Sequence, residues 1–211
     1  ASGLDPVTIF SFPLDDFQLE AMDALNQGHS VVVSAPTGSG KTLIGEYAIH
    51  RALAHGQKVF YTTPLKALSN QKLRDFRDQF GAENVGLMTG DLSVNREASI
   101  VVMTTEIFRN MLYAEADEHD DPLADVEAVV LDECHYMNDS QRGTVWEESI
   151  IHCPPSVQLV ALSATVANAG QLTDWIEKVH GPTTLVMSDH RPVPLQFSFC
   201  SAKGLHQLLN D

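Results

Sequence analysis

Short apolar runs rich in valine, isoleucine and threonine recur along the chain and alternate with longer segments of helical spacing. This alternation is typical of a parallel sheet with crossover helices, because strands buried on both faces read as continuous apolar runs. The sequence therefore predicts an α/β fold with a mostly parallel central sheet and helices on both faces. The predicted strands cover residues 31–35, 59–63, 85–89, 100–104, 128–132, 158–162 and 184–187.

Two connecting segments have the pattern of helices with a buried face. After Lys41, apolar side chains recur at spacings of three and four residues, and Gly56 is placed to end that helix. A shorter helix is predicted around Phe108. The acidic segment 115–125 that follows is predicted to be a mobile, solvated loop, because its composition does not suit a core element.

The charge balance limits the kinds of ligand. The 211 residues include 13 Lys and Arg against 28 Asp and Glu, a formal charge of −15, which is the wrong sign for a broad basic face that holds nucleic acid. The distribution is uneven, however, since seven of the 13 cations lie between Lys41 and Arg77. Seven carboxylates crowd between Glu115 and Glu127. Nucleic-acid binding therefore stays open.

Composition also bears on the compartment. The sequence contains no uninterrupted run of 18 apolar residues, so it does not predict a membrane span. The first residues lack the pattern of a secretion signal. The three cysteines are widely spaced without a CxxC pair, which indicates neither a disulfide framework nor a zinc site. A reducing compartment is expected.

Residues 35–42, with the sequence APTGSGKT, follow a predicted strand and precede a predicted helix, which is the context of a P-loop. Glycines there let backbone amides turn around phosphate oxygens, and the helix offers its positive N-terminal end. Lys41 is placed to reach the outer phosphates, and the Thr42 hydroxyl to ligate magnesium. Ala35 replaces the first glycine of the general pattern, and a glycine turn that only caps the strand is the alternative. The predicted nucleotide-binding residues of this loop are Pro36, Thr37, Gly38, Ser39, Gly40, Lys41 and Thr42.

Two adjacent carboxylates end the predicted strand 128–132. A P-loop needs a second carboxylate for the metal and a base for water, and we expect Asp132 to hold magnesium and Glu133 to polarise the attacking water. Together with Lys41 they form the predicted catalytic set. The alternative is a strand that ends in a solvated acidic turn. Cys134 is predicted to be a small packing residue.

Four further motifs occur in the order found in the superfamily 2 helicases, and the chain resembles the DExH-box type of that family. The segments TPLKALSNQ (63–71), TGD (89–91), TTE (104–106) and SAT (163–165) look like motifs Ia, Ib, Ic and III. A longer match, from DECHYMND at 132–139 to VWEE at 145–148, is similar to the superkiller-type RNA helicases that assist the exosome, and to their bacterial and plastid relatives. The resemblance covers roughly residues 10–195. It implies a RecA-like P-loop NTPase fold.

The resemblance implies ATP and Mg²⁺ as cofactors and single-stranded RNA as a partner. Phe12 and Gln18 look like the residues with which the family stacks on adenine and reads its edge. His135 is implied to relay contacts to a second motor domain, and Ser163, Ala164 and Thr165 to couple the nucleotide state to the grip on RNA. The residues that match RNA-contacting motifs are Pro64, Leu65, Lys66, Asn70, Gln71, Thr89, Gly90, Asp91, Thr104, Thr105 and Glu106.

Physical reasoning supports this RNA assignment. Each of motifs Ia, Ib and Ic follows a predicted strand and so belongs at the carboxyl edge of the sheet. Hydroxyls, amides and backbone N–H groups bind phosphate and sugar without base preference and without a large positive charge.

Simpler alternatives remain for individual residues. The threonines at 89, 104 and 105 are placed to cap the helices that follow, as are Ser163 and Thr165. Lys66 has the alternative of a plain solvated lysine, and His135 that of a satisfied surface histidine.

The predicted organisation has three parts. Residues 1–27 form an N-terminal segment with the adenine-recognition motif, residues 28–194 form the first RecA-like motor domain, and residues 195–211 begin a connection to a second domain. The prolines at 192 and 194 end the regular pattern. The family's second motor domain and its arginine finger are absent from this sequence, so the chain is expected to bind nucleotide but to hydrolyse it poorly.

The function predicted from the sequence is the ATP-binding first motor domain of an ATP-dependent RNA helicase. The alternatives are a DNA helicase motor domain of the same superfamily and a non-catalytic, nucleotide-gated RNA-binding module. Expected partners are the second RecA-like domain of the same polypeptide and RNA-degradation or RNA-processing proteins, with no membrane. The expected location is the cytoplasm, a plastid or the nucleus, without secretion.

Overall fold

The computed structural model describes residues 4–114, 121–138, 143–189, 198–201 and 204–207. The helices in these ranges are α1 (Pro6–Ile9), α2 (Asp16–Asn26), α3 (Thr42–Ala54), α4 (Lys66–Phe80), α5 (Thr105–Ala114), α6 (Gly143–His152) and α7 (Ala169–Val179). The strands are β1 (Ser30–Ser34), β2 (Lys58–Thr63), β3 (Val85–Met88), β4 (Ser93–Val94), β5 (Ile100–Thr104), β6 (Val126–Leu131), β7 (Gln158–Ser163), β8 (Thr183–Met187), β9 (Ser198–Ser201) and β10 (Gly204–Gln207). Short 3₁₀ turns cover Ala82–Asn84 and Cys134–Asn138.

The described strands form one eight-stranded sheet in the order β4-β3-β5-β2-β6-β7-β1-β8, and β9 and β10 form a separate antiparallel pair. All neighbours in the large sheet are parallel except β4, which pairs antiparallel with β3. The prediction of a mostly parallel sheet is therefore confirmed, with the seven predicted strands present and their ends shifted by at most two residues. The two-residue strand β4 and the β9–β10 pair were not predicted.

Each central strand divides its side chains between two apolar layers. Val31 and Val33 of β1 enter one core cluster, with helices α2, α3 and α4, while Val32 enters a second cluster on the other face, with α5, α6 and α7. Tyr61 and Phe60 of β2 divide in the same way. This alternation follows from the two-residue period of a strand. Helices cover both faces of the sheet, as the sequence predicts.

The helix predicted after Lys41 is α3, which begins at Thr42 directly after the glycine-rich segment. It ends just before Gly56, whose φ of +68° favours glycine. The shorter predicted helix is α5. No helix in the described part of the chain combines the length and the apolar character that a membrane crossing needs.

The acidic segment is only partly described. Residues 115–120, on which much of the prediction of a mobile loop falls, lie outside the described residues. In the described part, Leu123 is buried in the core and its N–H donates to Asp121 Oδ1 at 2.9 Å. The other four residues of 121–125 are exposed, as expected of a solvated loop, and Leu123 is the exception that packs against the core.

Candidate nucleotide and nucleic-acid site

Three adjacent strands bring the P-loop, the acidic pair and the SAT segment together. In the order β6-β7-β1, each strand runs parallel to the next, so their carboxyl ends share one edge of the sheet. The acidic pair follows β6, residues 163–165 continue from the end of β7, and the P-loop follows β1. Neighbouring strands lie roughly 4.8 Å apart, which places the three motifs within about 10 Å of one another.

The P-loop has the backbone of an anion-binding loop. Gly38 and Gly40 have φ of +81° and +87°, in the left-handed region that only glycine adopts without strain. Alternation of such residues with right-handed ones turns successive N–H groups toward one concavity. Ser39 Oγ is buried here without a hydrogen-bond partner among the described residues. The loop therefore fits a phosphate group, and the alternative of a turn that only caps β1 does not account for the inward serine.

Lys41 links the P-loop to the acidic pair. Its ammonium donates to the Ala35 carbonyl at 3.0 Å and is buried. Burial lowers the pKa of Lys41, and the charges of Glu133 and Asp132 oppose that change. Because both carboxylates act on the lysine, the three predicted catalytic residues share one electrostatic environment.

The carboxylate of Asp132 is held by donors on two sides. The Tyr61 hydroxyl donates to Oδ2 at 2.5 Å, and the Glu133 backbone N–H donates to Oδ1 at 2.8 Å. The Lys72 ammonium lies 4.0 Å from Oδ2. Asp132 is 6% exposed, so the alternative of a solvated acidic turn is wrong for this residue.

Glu133 points into different surroundings from Asp132. Its φ of +54° is rare for a residue with a side chain and turns the chain at the strand end. Glu133 Oε2 lies 3.1 Å from His135 Nε2. His135 Nδ1 in turn accepts the backbone N–H of Ala164 at 3.1 Å, which assigns the ring proton of the neutral imidazole to Nε2. The contact with Glu133 and the bond from Ala164 place His135 between the acidic pair and the SAT segment.

Cys134 is buried beside this pair. Burial raises the pKa of its thiol to about 12, so the thiolate that a nucleophile needs is not formed near neutral pH. This agrees with its predicted packing role.

Gln18 connects the N-terminal segment to the P-loop. Its Nε2 donates to the Gly40 carbonyl at 2.9 Å, and its Oε1 accepts the Asp15 N–H at 2.9 Å in a capping box that begins α2. A Cβ at Gly40 would lie 2.7 Å from Gln18 Nε2, so only glycine allows this approach. A carboxamide offers four hydrogen-bonding positions, and these two contacts use two of them in a side chain that is 6% exposed.

Phe12, the other predicted adenine contact, is 52% exposed. Its ring centroid lies 5.8 Å from that of Phe10, which is buried. Phe10 thus anchors the segment while the Phe12 ring stays available for stacking.

The residues matched to RNA contacts lie at the other half of the same edge, after β3, β5 and β2. Thr105 Oγ1 donates to the Thr63 carbonyl at 3.3 Å, and Thr89 Oγ1 to the Leu92 carbonyl at 3.4 Å. Lys66 forms an exposed ion pair with Asp91. The helix-capping alternative is therefore wrong for Thr89 and Thr105, while Lys66 remains a solvent-exposed lysine with an exposed partner.

The rest of this predicted set lies around those contacts. Pro64, Leu65, Asn70 and Thr104 are half-buried, while Gly90, Glu106 and Gln71 are exposed. At the SAT segment, Ser163 Oγ donates to the Ala164 carbonyl at 2.7 Å, and Thr165 is exposed. The residue that precedes α7 is Asn168, so Ser163 and Thr165 do not cap that helix.

The arrangement fits a hard cation bound together with phosphate. Mg²⁺ is commonly held by one or two protein oxygens plus substrate phosphates, and the Asp132 carboxylate and the Thr42 hydroxyl supply oxygens of that kind. No group of three or more His, Cys, Asp or Glu residues among those described is arranged as a metal cluster.

Sequence reasoning missed Tyr61 and Lys72, which both contact Asp132. A signal for Tyr61 was present, because a tyrosine in a strand buried on both faces needs a partner for its hydroxyl. Lys72 carries no comparable signal, since a lysine on a helix is ordinarily solvated.

Comparison with known proteins agrees with this geometry. Residues 15–172 match the family described as DEAD/DEAH box helicase, and the chain belongs to that family. It is 55% identical over 207 residues to the chloroplastic DExH-box ATP-dependent RNA helicase DExH15 of Arabidopsis thaliana, covering 97% of this chain and 18% of that protein. It is 46% identical over 208 residues to the antiviral helicase SKI2 of Saccharomyces cerevisiae, covering 98% and 16%. The chain thus spans about a fifth of the length of these relatives.

Among solved structures, the helicase Lhr of Mycobacterium smegmatis bound to ssDNA and AMP-PNP superposes with a TM-score of 0.69. The sequence identity is 28%, and the match covers 86% of this chain and 26% of that one. The RecA-like helicase fold expected from the sequence is confirmed.

Lys41→Ala is expected to abolish nucleotide binding, measured by a fluorescent nucleotide titration, because it removes the ammonium predicted to contact the outer phosphates. The fold should persist, because the one hydrogen bond to Ala35 contributes roughly 1.5–3 kcal/mol, less than the about 5–15 kcal/mol that stabilises a typical domain. Lys58→Ala is the matched control, because Lys58 begins β2 and so lies at the amino ends of the strands, away from the P-loop. Wild-type nucleotide affinity in Lys41→Ala would remove Lys41 from the phosphate site.

Proposed function

We propose that this chain is the ATP-binding first motor domain of an ATP-dependent RNA helicase, in which hydrolysis drives movement along RNA in the full-length protein. The observation that carries the proposal is the division of one sheet edge. Phosphate-binding and acidic groups follow β1 and β6, while the polar segments matched to RNA contacts follow β2, β5 and β3. The N–H of Asp132 donates to the Thr62 carbonyl at 3.0 Å, so the two halves meet at the β2–β6 boundary.

On the nucleotide half, each residue has a distinct role. Backbone N–H groups of residues 37–42 bind the phosphates, and Lys41 moves from the Ala35 carbonyl to an outer phosphate oxygen. Thr42 and Asp132 hold Mg²⁺, which neutralises phosphate charge when it is bound. Glu133 accepts a proton from the attacking water.

His135 orients Glu133 for that task. Its Nε2 lies 3.1 Å from Glu133 Oε2, while Ala164 N–H donates to Nδ1 on the opposite side of the ring. Because Ala164 belongs to the SAT segment, a movement of that segment changes the orientation of the base. This supports the coupling role proposed for Ser163, Ala164 and Thr165.

On the RNA half, hydroxyls and amides contact the sugar–phosphate backbone without base preference. The Lys66 ammonium is paired with the exposed Asp91 carboxylate. When RNA binds, the ammonium leaves this carboxylate and pairs with a phosphate of the RNA. Such contacts need few cations, so the charge of −15 is compatible with a motor that holds RNA weakly and releases it at each step.

The completed sites require partners. We propose that a second RecA-like domain of the same polypeptide supplies an arginine finger and the opposing RNA surface. One relative carries the name antiviral helicase SKI2 and another the name ATP-dependent RNA helicase mtr4, which supports RNA-degradation or RNA-processing proteins as further partners. We propose the cytoplasm, a plastid or the nucleus as the location, and one relative is named chloroplastic.

DNA is the second candidate substrate, because the solved Lhr structure contains ssDNA. Phosphate release by the full-length protein should be measured with single-stranded RNA and with DNA of the same sequence. RNA is expected to raise the rate more than DNA does. Stimulation by DNA alone would replace the RNA assignment with the DNA one, and stimulation by neither would favour a non-catalytic binding module.

Glu133→Gln in the full-length protein is expected to bind ATP normally and to lose about 10²–10⁴-fold in hydrolysis rate, because the amide keeps the shape but cannot accept a proton. Single-turnover phosphate release beside ATP titration separates the two quantities. Glu20→Gln on the exposed face of α2 is the control. Equal loss of binding and rate would make Glu133 a structural residue.

Gln18→Ala is expected to weaken ATP binding about 10-fold more than GTP binding, since up to two hydrogen bonds of about 1 kcal/mol each are lost only with adenine. Competition titrations with both nucleotides measure this difference. Gln27→Ala at the other end of α2 is the control, because that amide contacts only Asp23 among the described side chains. An equal loss for ATP and GTP would restrict Gln18 to its contact with Gly40.

A further inference from the structure

We propose that Tyr61 is a positioning residue for the metal site, and that its hydroxyl fixes the orientation in which Asp132 presents its carboxylate to Mg²⁺. This inference rests on the proposed function. Tyr61 lies on β2, and its Cα pairs in register with Val130 of β6, two residues before Asp132. The hydroxyl donates to Asp132 Oδ2 at 2.5 Å.

Asp132 has one donor on each oxygen. Glu133 N–H holds Oδ1 at 2.8 Å, and this contact comes from the neighbouring residue. The bond from Tyr61 comes from another strand, so it sets the rotation of the carboxylate relative to the sheet. Each carboxylate oxygen has a second lone pair, which leaves acceptor capacity for a cation without breaking either bond.

The Tyr61 ring is packed on two sides, which fixes the position of its hydroxyl oxygen. It is fully buried, and its centroid lies 4.9 Å from that of Phe76 on α4 in an edge-to-face contact. On its other side is Gly45 of α3, where an added Cβ would lie 3.2 Å from Tyr61 Cε2. The ring thus packs against the helix that begins at the P-loop and the helix that carries Lys66, and a displacement of the ring that moves the hydroxyl oxygen requires one of them to move.

Orientation matters for this cation in particular. Mg²⁺ demands near-ideal octahedral geometry, whereas Ca²⁺ accepts irregular sets of ligands. Groups that orient a metal ligand typically change metal affinity by about 10- to 100-fold when they are lost. Loss of the Tyr61 hydroxyl should therefore weaken Mg²⁺ binding more than Ca²⁺ binding, which is a signature that a purely structural tyrosine would not give.

The test compares Tyr61→Phe with Tyr47→Phe in the full-length protein. Tyr47 is the matched control, because it is also fully buried and its hydroxyl bonds to Leu4 O at 2.8 Å and Asn26 Oδ1 at 2.6 Å, away from the acidic pair. Affinity for a fluorescent ADP analogue is measured without divalent cations and at rising MgCl₂ or CaCl₂.

Tyr61→Phe is expected to bind the analogue normally without cations, to need about 10- to 100-fold more MgCl₂ for half-saturation, and to show a smaller change with CaCl₂. Tyr47→Phe should match the wild type throughout. Unchanged MgCl₂ dependence in Tyr61→Phe, or an equal shift with both cations, would overturn the proposal.

Asp132→Asn separates this inference from the proposed function. If Asp132→Asn raises the MgCl₂ requirement and Tyr61→Phe does not, only the role of Tyr61 fails. If Asp132→Asn leaves it unchanged, the metal assignment itself fails. Should Tyr61→Phe not fold, Gly45→Ala brings a Cβ to 3.2 Å from Tyr61 Cε2 and is expected to push the ring by a few tenths of an ångström while keeping the hydroxyl. A wild-type MgCl₂ dependence in that variant would overturn the proposal.

Discussion

A buried carboxylate at the centre of the sheet edge is the constraint on which the rest of the site depends. Asp132 is almost fully buried, and removing such a charge from water costs several kcal/mol. Two hydrogen bonds to it, from Tyr61 and from the Glu133 backbone, contribute roughly 1.5–3 kcal/mol each. The donors are thus of the right magnitude to offset the burial, and removing either one leaves the charge under-compensated.

The partners of that carboxylate belong to segments with different tasks. Tyr61 precedes the segment matched to motif Ia, Lys72 is on α4 with Lys66 and Asn70, and Glu133 continues through His135 to the SAT segment. A cation or phosphate bound beside Asp132 therefore changes the electrostatic environment of Tyr61 and Lys72 on one half of the edge and of Glu133 on the other. Under the proposed function, these contacts within one domain are the route by which nucleotide and nucleic acid would affect each other.

The fold was predictable from the sequence because it depends on patterns that are local. Valine-rich runs such as Ser30–Ser34 identify parallel strands, and the APTGSGKT segment fixes where one strand ends and a helix begins. Strand β4 escaped prediction because it has two residues. The burial of Leu123 also escaped prediction, because a single apolar side chain in an acidic segment forms no repeating hydrophobic pattern.

The sequence predicts candidate site residues one by one, but it does not predict the contacts between them. Spacing placed Asp132 and Glu133 at a strand end, yet nothing in the sequence states that β2 is the neighbour of β6. The contacts from Tyr61 and from Lys72 follow from that strand order. The bond between His135 and Ala164 follows in the same way from the pairing of β6 with β7. Long-range neighbours therefore had to come from the structure.

The most direct measurement is RNA-stimulated phosphate release by this chain alone beside the full-length protein that contains it, at equal concentrations of ATP, MgCl₂ and single-stranded RNA. The edge described here supplies one wall of each site, and the arginine finger expected from a second domain contributes roughly three to five powers of ten in rate. RNA-stimulated release is expected from the full-length protein and almost none from the isolated chain. Robust RNA-stimulated turnover by the isolated chain would contradict this expectation.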